Sequence, residues 1–151
     1  MLNPQLKIHN SQLKIMLFSR FDTEMQVRPD DIDMNQHVHN SKYFDYVLAA
    51  RYDQMELFYK FPMEKFLENK FAWVINKAIV EYKRPLGLGD RFIVNTGIKE
   101  MLPKGCIVDF HITSKRTGKL CCDGEFHYTM INVETGRGEL IPDWIKEHYS
   151  I

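Results

Sequence analysis

At 151 residues, with 44% hydrophobic and 26% charged side chains, the chain has the length of one domain with one core, and neither disorder nor a membrane protein is expected. Lys plus Arg and Asp plus Glu both number 20, which excludes the net positive field that draws a protein to nucleic acid. The three cysteines, Cys106, Cys121 and Cys122, are odd in number and two are adjacent, so reduced strand or core residues are expected and not a disulfide framework or a zinc site.

Met1 to Lys7 is followed by no apolar run long enough for a signal peptide or a spanning helix, so a cytoplasmic protein is expected. The echo of Gln5-Leu6-Lys7-Ile8 in Gln12-Leu13-Lys14-Ile15 is a single recurrence and implies no repeat architecture. From Phe21 to Arg28, Phe21, Thr23, Met25 and Val27 alternate with charged or polar residues, the period-two pattern of a half-buried strand that Pro29 ends. A helix follows, starting at Asn40 or Ser41 as N-cap, with Phe44, Val47, Leu48, Met55 and Phe58 on one apolar face. Pro62 interrupts it, and Met63 to Asn69 has the pattern of a short second helix. Four strands are then predicted over Ala72 to Lys83, Arg91 to Glu100, Cys106 to Ser114 and Leu120 to Val133, separated by turns rich in Pro and Gly. Short links imply antiparallel pairing, so the layout is α+β, with a first strand joining four later ones and a sheet able to wrap the helix.

Most of the chemistry lies in Asp31-Ile32-Asp33-Met34-Asn35-Gln36-His37-Val38-His39-Asn40, which places two carboxylates, two imidazoles and three amides ahead of the helix start. Unpaired amides and the dipole at a helix N-terminus favour an anion, which suits a reaction that builds negative charge on a carbonyl oxygen. Acyl transfer is the natural expectation. Read locally, the same residues could simply cap and turn a polar loop.

The segment resembles the signature of hotdog-fold thioesterases of the 4-hydroxybenzoyl-CoA thioesterase-like superfamily, Asp-x-Asp-x-x-x-His-Val-Asn-Asn-x-x-Tyr. Asp31, Asp33, His37, Val38, Asn40 and Tyr43 match it, and His39 replaces the first Asn. Asp33-Met34-Asn35-Gln36-His37 is also similar to the Asp-x-Asn-x-His of plant-type acyl-acyl-carrier-protein (acyl-ACP) thioesterases, and Glu81-Tyr82-Lys83-Arg84 to their Glu-Tyr-Arg-Arg. That second likeness stops where the family has an acid and a cysteine and this chain has Pro85 and Leu86. The resemblance runs over roughly residues 18–133. It implies a single hotdog domain over residues 1–151, an antiparallel sheet of five or six strands wrapped around one long helix.

The resemblance further implies an acyl-CoA or acyl-ACP thioester hydrolase, with Asp33 as catalytic base or nucleophile and Asn35 and His37 beside it. The backbone amide of Asn40 is the expected oxyanion donor and substrate contact. An Asp is ionised at neutral pH and able to act at once. With Pro85 in place of the plant-type glutamate, Asp33 carries the water activation itself. Asn35 and His37 can each be read instead as loop-shaping residues, and Asp31 as a local cap. His37 and His39 with Asp31 and Asp33 offer metal donors, but no second cluster completes a shell, so no metal or other cofactor is expected. Lys83, Arg84, Lys115, Arg116 and Lys119 are candidates for carrier phosphates and equally ordinary surface charges. Partners expected are the acyl thioester substrate and a second copy in a homodimer or a dimer of dimers, with no nucleic acid or membrane. Two further classes stay open: a hotdog dehydratase or hydratase, and a non-catalytic acyl-thioester binding module.

Overall fold

The computed structural model describes residues 18–151. The readings made of Met1 to Lys7 and of the Gln-Leu-Lys-Ile echo lie outside the described residues. Five strands, β1 (Arg20–Gln26), β2 (Phe71–Tyr82), β3 (Arg91–Met101), β4 (Gly105–Ser114) and β5 (Leu120–Asn132), form one antiparallel sheet in the order β1-β3-β4-β5-β2. The long helix α1 (Asn40–Leu57) lies against it, with α2 (Met63–Glu68) and α3 (Asp143–Tyr149) at the far end. This is the hotdog layout the resemblance implies.

The four later strands fall within a residue or so of their predicted limits, because Pro-, Gly- and Thr-containing turns leave the chain little choice of where to reverse. The first strand ends earlier than expected. Gln26 is the last residue paired with β3, opposite Arg91, and the Val27 amide turns to the Asp90 carbonyl at 2.9 Å. Arg28 then leads into a 3-10 turn, Pro29–Asp31, whose entry suits the fixed φ of proline. No sequence pattern predicts helix α3, which is only seven residues long and begins straight after Pro142.

Two glycines sit where the sheet leaves no room for a side chain. A β-carbon on Gly124 would collide with the Ile79 carbonyl of the neighbouring strand, and one on Gly105 with that of Tyr128. No side chain fits either place, so both strands need glycine there.

The buried face of α1 is only partly the one its apolar residues suggest: Val47 and Met55 are buried and Phe44 packs against the core. Tyr43, Tyr46, Val47, Ala50, Gln54 and Met55 are buried together with Arg51, while Leu48 and Phe58 are 36% and 40% exposed. The tyrosine and glutamine polar atoms on this face are paired, which makes their burial tolerable. The Leu86 amide donates to the Tyr43 hydroxyl at 3.1 Å, and the Gln54 carboxamide donates to Thr23 Oγ1 at 2.9 Å and accepts from the Thr96 hydroxyl. Around the first half of α1 the core is built from Phe92, Val94, Phe110, Ile112 and Phe126; around its end it is built from Tyr59, Phe66, Met130, Ile145 and Tyr149.

Candidate active site

The loop from β1 to α1 is closed by backbone pairing. Ile32 bridges Val38, the Asp33 amide donates to the His37 carbonyl at 2.8 Å, and the Gln36 amide donates to the Asp33 carbonyl at 3.2 Å. Gln36 makes the reversal in the left-handed region, at φ 65°. The β2–β3 connection braces the loop from outside, with the Val38 amide on the Leu86 carbonyl at 2.9 Å and His37 bridged to Gly87.

Asp33 sits half-buried at the base of this loop. Its Oδ1 accepts from the backbone amides of Asn35, at 2.8 Å, and His37, at 3.4 Å, so one oxygen holds the loop in shape. Its Oδ2 makes no hydrogen bond or ion pair among the described residues and is free for chemistry. Asn35 and His37 are exposed. Their amides are brought to Asp33, whereas their carboxamide and imidazole are not: neither side chain bonds to the carboxylate.

The N-cap of α1 is His39, a correction to the expected Asn40 or Ser41. Its Nδ1 accepts from the Ser41 amide at 3.1 Å and lies 2.8 Å from Ser41 Oγ, and its carbonyl accepts from the Lys42 amide at 2.9 Å. A neutral imidazole can present Nδ1 as an acceptor, as an Asn presents its oxygen, so the departure from the family pattern keeps the cap. Asn40 is then the first helical residue. Its carbonyl accepts from the Tyr82 hydroxyl at 3.0 Å, and its amide donates to nothing among the described residues. One unpaired N–H therefore stands at the positive end of α1, at the head of the loop that carries Asp33.

Asp31 has the other role. It is 6% exposed, and its Oδ2 accepts from the Tyr46 hydroxyl at 2.6 Å and the Arg28 amide at 3.0 Å. Burial, and then this hydrogen bond, hold the Tyr46 phenol far above its ordinary pKa, so it remains a neutral donor. Asp31→Ala leaves these two donors without their acceptor. We expect it to cost about 1–3 kcal/mol in denaturant melts, with turnover of the folded protein affected much less than by changes at Asp33.

A cavity of about 550 Å³ opens further along α1, between the helix, β2–β5 and α3. Its walls are mostly apolar and include Leu48, Met55, Trp73, Ile98, Val108 and Ile145. Arg51 also lines it, a residue that sequence reading did not single out. The only signal was a charge falling on the buried side of the helix, next to Val47 and Ala50. Among the described residues no group of three or more His, Cys, Asp and Glu could hold a metal ion, and no helix is long and apolar enough to cross a membrane.

Residues 27–148 match the model of the thioesterase-like superfamily. The chain belongs to that superfamily. The chain is 24% identical over 125 residues to the long-chain acyl-CoA thioesterase FadM of Escherichia coli K12, covering 83% of this chain and 93% of that protein. Its fold is shared by a 1,4-dihydroxy-2-naphthoyl-CoA thioesterase from Synechocystis, with TM-score 0.79, 18% identity, and 87% and 96% of the two chains covered. The DHNA-CoA thioesterase of Staphylococcus aureus is as similar, with TM-score 0.79, 19% identity, and coverage of 87% and 89%.

Proposed function

We propose that this thioesterase hydrolyses acyl-coenzyme A thioesters, with Asp33 as general base or nucleophile and the Asn40 amide as oxyanion donor. The observation that carries this reading is that the loop between β1 and α1 carries both an Asp33 carboxylate oxygen without a partner and, at the first residue of α1, an amide without one among the described residues. The thioester carbonyl sits against the Asn40 amide, where the charge of the tetrahedral intermediate is stabilised by a fixed donor and the helix dipole. Asp33 either takes a proton from the attacking water and passes it to the departing thiolate, or attacks the carbonyl itself to form a mixed anhydride that water then cleaves to the free acid, so that coenzyme A leaves as the thiol and the carboxylate is regenerated. Asn35 and His37 flank the same loop and are read as contacts to water, carbonyl or leaving group.

The acyl chain runs from the head of α1 along the seam between α1 and β2. At one end of that seam Tyr82 touches Asn40; at the other Leu48 and Trp73 face the apolar cavity. Coenzyme A is preferred as carrier because the three relatives described above are named for CoA thioesters. A second, shallow cavity lined by Gly89, Asp90, Arg91, Lys115 and Arg116 continues the loop that braces His37 and offers cations to phosphates. A spectrophotometric screen of acyl-CoA chain lengths with a thiol-trapping reagent tests the proposal. Turnover of acyl carrier protein thioesters with no release from any acyl-CoA would overturn the choice of carrier.

The protein's own thiols should not disturb that assay. Burial pushes the Cys106 and Cys122 thiols up to about 12 and raises Cys121 as well, so all three are protonated and poor nucleophiles at neutral pH. Native protein should react slowly with the reagent and expose three equivalents only on denaturation; fast native labelling would contradict the buried placement.

The active form is read as a homodimer. The outer edge of β2 is unpaired among the described residues, and Val74, Ile79 and Tyr82 are exposed on it. An apolar open edge is an aggregation hazard unless another chain pairs with it, and a second copy does so under two-fold symmetry, bringing each α1 seam to the interface. Light scattering at micromolar concentration should return a dimer or a dimer of dimers. A monodisperse monomer would contradict it.

A further inference from the structure

Among the described residues Arg51 is the one charged residue lining the apolar cavity, and the thioesterase reading leaves it unused. Its side chain is 7% exposed, on the buried side of α1. Nη1 donates to Thr96 Oγ1 at 3.0 Å and to the Tyr59 hydroxyl at 3.4 Å, and the guanidinium lies 5.2 Å from the Tyr59 ring centroid. No carboxylate pairs with it among the described residues, and residues 1–17 contain no Asp or Glu at all. Nε and Nη2 have no acceptor among those residues. A guanidinium with little exposure and no counter-charge is costly, and an alkyl chain filling the cavity would add to that cost by displacing what water reaches Nε and Nη2. Its positive charge reaches the cavity walls: it opposes the rise that burial imposes on the Cys106 thiol and on the Tyr128 and Tyr149 phenols.

Position along the helix says which part of a substrate would meet it. Arg51 lies eleven residues beyond Asn40, about 16 Å along the axis of α1. A carbonyl held at the Asn40 amide therefore sends the far end of a medium- or long-chain acyl group, not its head, towards Arg51. The cavity is otherwise mostly apolar, with Leu48 and Met55 one turn to either side on the same helix.

We propose that Arg51 is a specificity-determining residue that pairs with a carboxylate on the distal end of the acyl chain, so that the preferred substrates are thioesters of ω-carboxylated, dicarboxylic acids. This rests on the thioesterase reading and deepens it. The carboxylate supplies the missing counter-charge and accepts from the two free donors, while the methylenes fill the apolar walls. Because Arg51 is remote from the reacting carbonyl, its contact is made equally in ground and transition states and acts on KM more than on kcat.

The test compares three series of coenzyme A thioesters of matched length, ending in a methyl group, in a free carboxylate, or in the methyl ester of that carboxylate. Wild-type protein should favour the free carboxylate by about 10- to 100-fold in kcat/KM, the size expected of a charge-assisted hydrogen bond out of water, mainly through a lower KM. In R51M the ratio of carboxylate to methyl substrates should fall to about one or below, and R51K should restore part of it. If R51M does not fold, the wild-type comparison of acid with methyl ester still decides, since there the charge is removed from the ligand. Equal use of acid and methyl ester, or a preference that survives R51M, overturns the proposal while leaving the thioesterase reading intact. Release of coenzyme A from none of the series overturns both.

Discussion

Asp33→Asn is expected to lower the maximal turnover of acyl thioester by at least about 10²–10⁴-fold, the range associated with loss of a general base. The substitution suits the geometry. Asp33 Oδ1 is committed to the amides of Asn35 and His37, and an Asn can keep that oxygen in place while its amide nitrogen takes the position of Oδ2. The loop, the melting temperature and KM should change little, so the loss falls on kcat. Asp33→Ala is the poorer experiment because it also removes the acceptor that shapes the loop. Comparable losses in Asp31→Asn and Asp33→Asn would mean that the two carboxylates act as a unit, against the structural role that Tyr46 and the Arg28 amide give Asp31.

The second large effect is expected from a backbone atom. Asn40 is the first residue of α1, where proline is tolerated because no intrahelical bond needs its amide, and His39 before it is already extended at φ −60° and ψ 138°. Asn40→Pro therefore removes the proposed oxyanion donor and leaves the helix start intact. Turnover should fall by about 10²–10³-fold, as when one such donor is lost elsewhere. Asn40→Ala keeps the N–H and should retain most of the activity, and since His39 is the cap it should cost little stability. If the alanine variant folds and is dead while the proline variant is active, the side chain does the work and the backbone assignment is wrong.

These expectations were visible in the sequence to different depths. The strands announced themselves through turns such as Pro103-Lys104-Gly105 and Arg116-Thr117-Gly118, and the motif from Asp31 to Tyr43 pointed to the fold and to the loop that carries Asp33. Periodicity misjudged α1 because its buried side is rich in tyrosine, glutamine and arginine, whose polar atoms find partners only on other elements: Tyr46 on Asp31, Gln54 on Thr23 and Thr96, Arg51 on Thr96. An apolar-only pattern cannot register contacts made across 15 to 45 residues of sequence. The cap at His39 was missed because histidine is not a residue that helix starts usually advertise. The cavity and α3 were missed because both depend on how the chain after Val133 returns over Tyr59 and Phe61, where the Tyr149 hydroxyl donates to the Phe61 carbonyl at 2.6 Å.

The most direct measurement is thiol release from acyl-CoA at saturating substrate, made side by side on wild-type protein, Asp33→Asn and Asn40→Pro, each shown to be folded by its melting temperature. An open Asp33 carboxylate acting with the Asn40 amide predicts steady release by the wild type and a fall of at least about 100-fold in both variants. Undiminished release by folded Asp33→Asn, or no release by the wild type from any acyl-CoA, would contradict it.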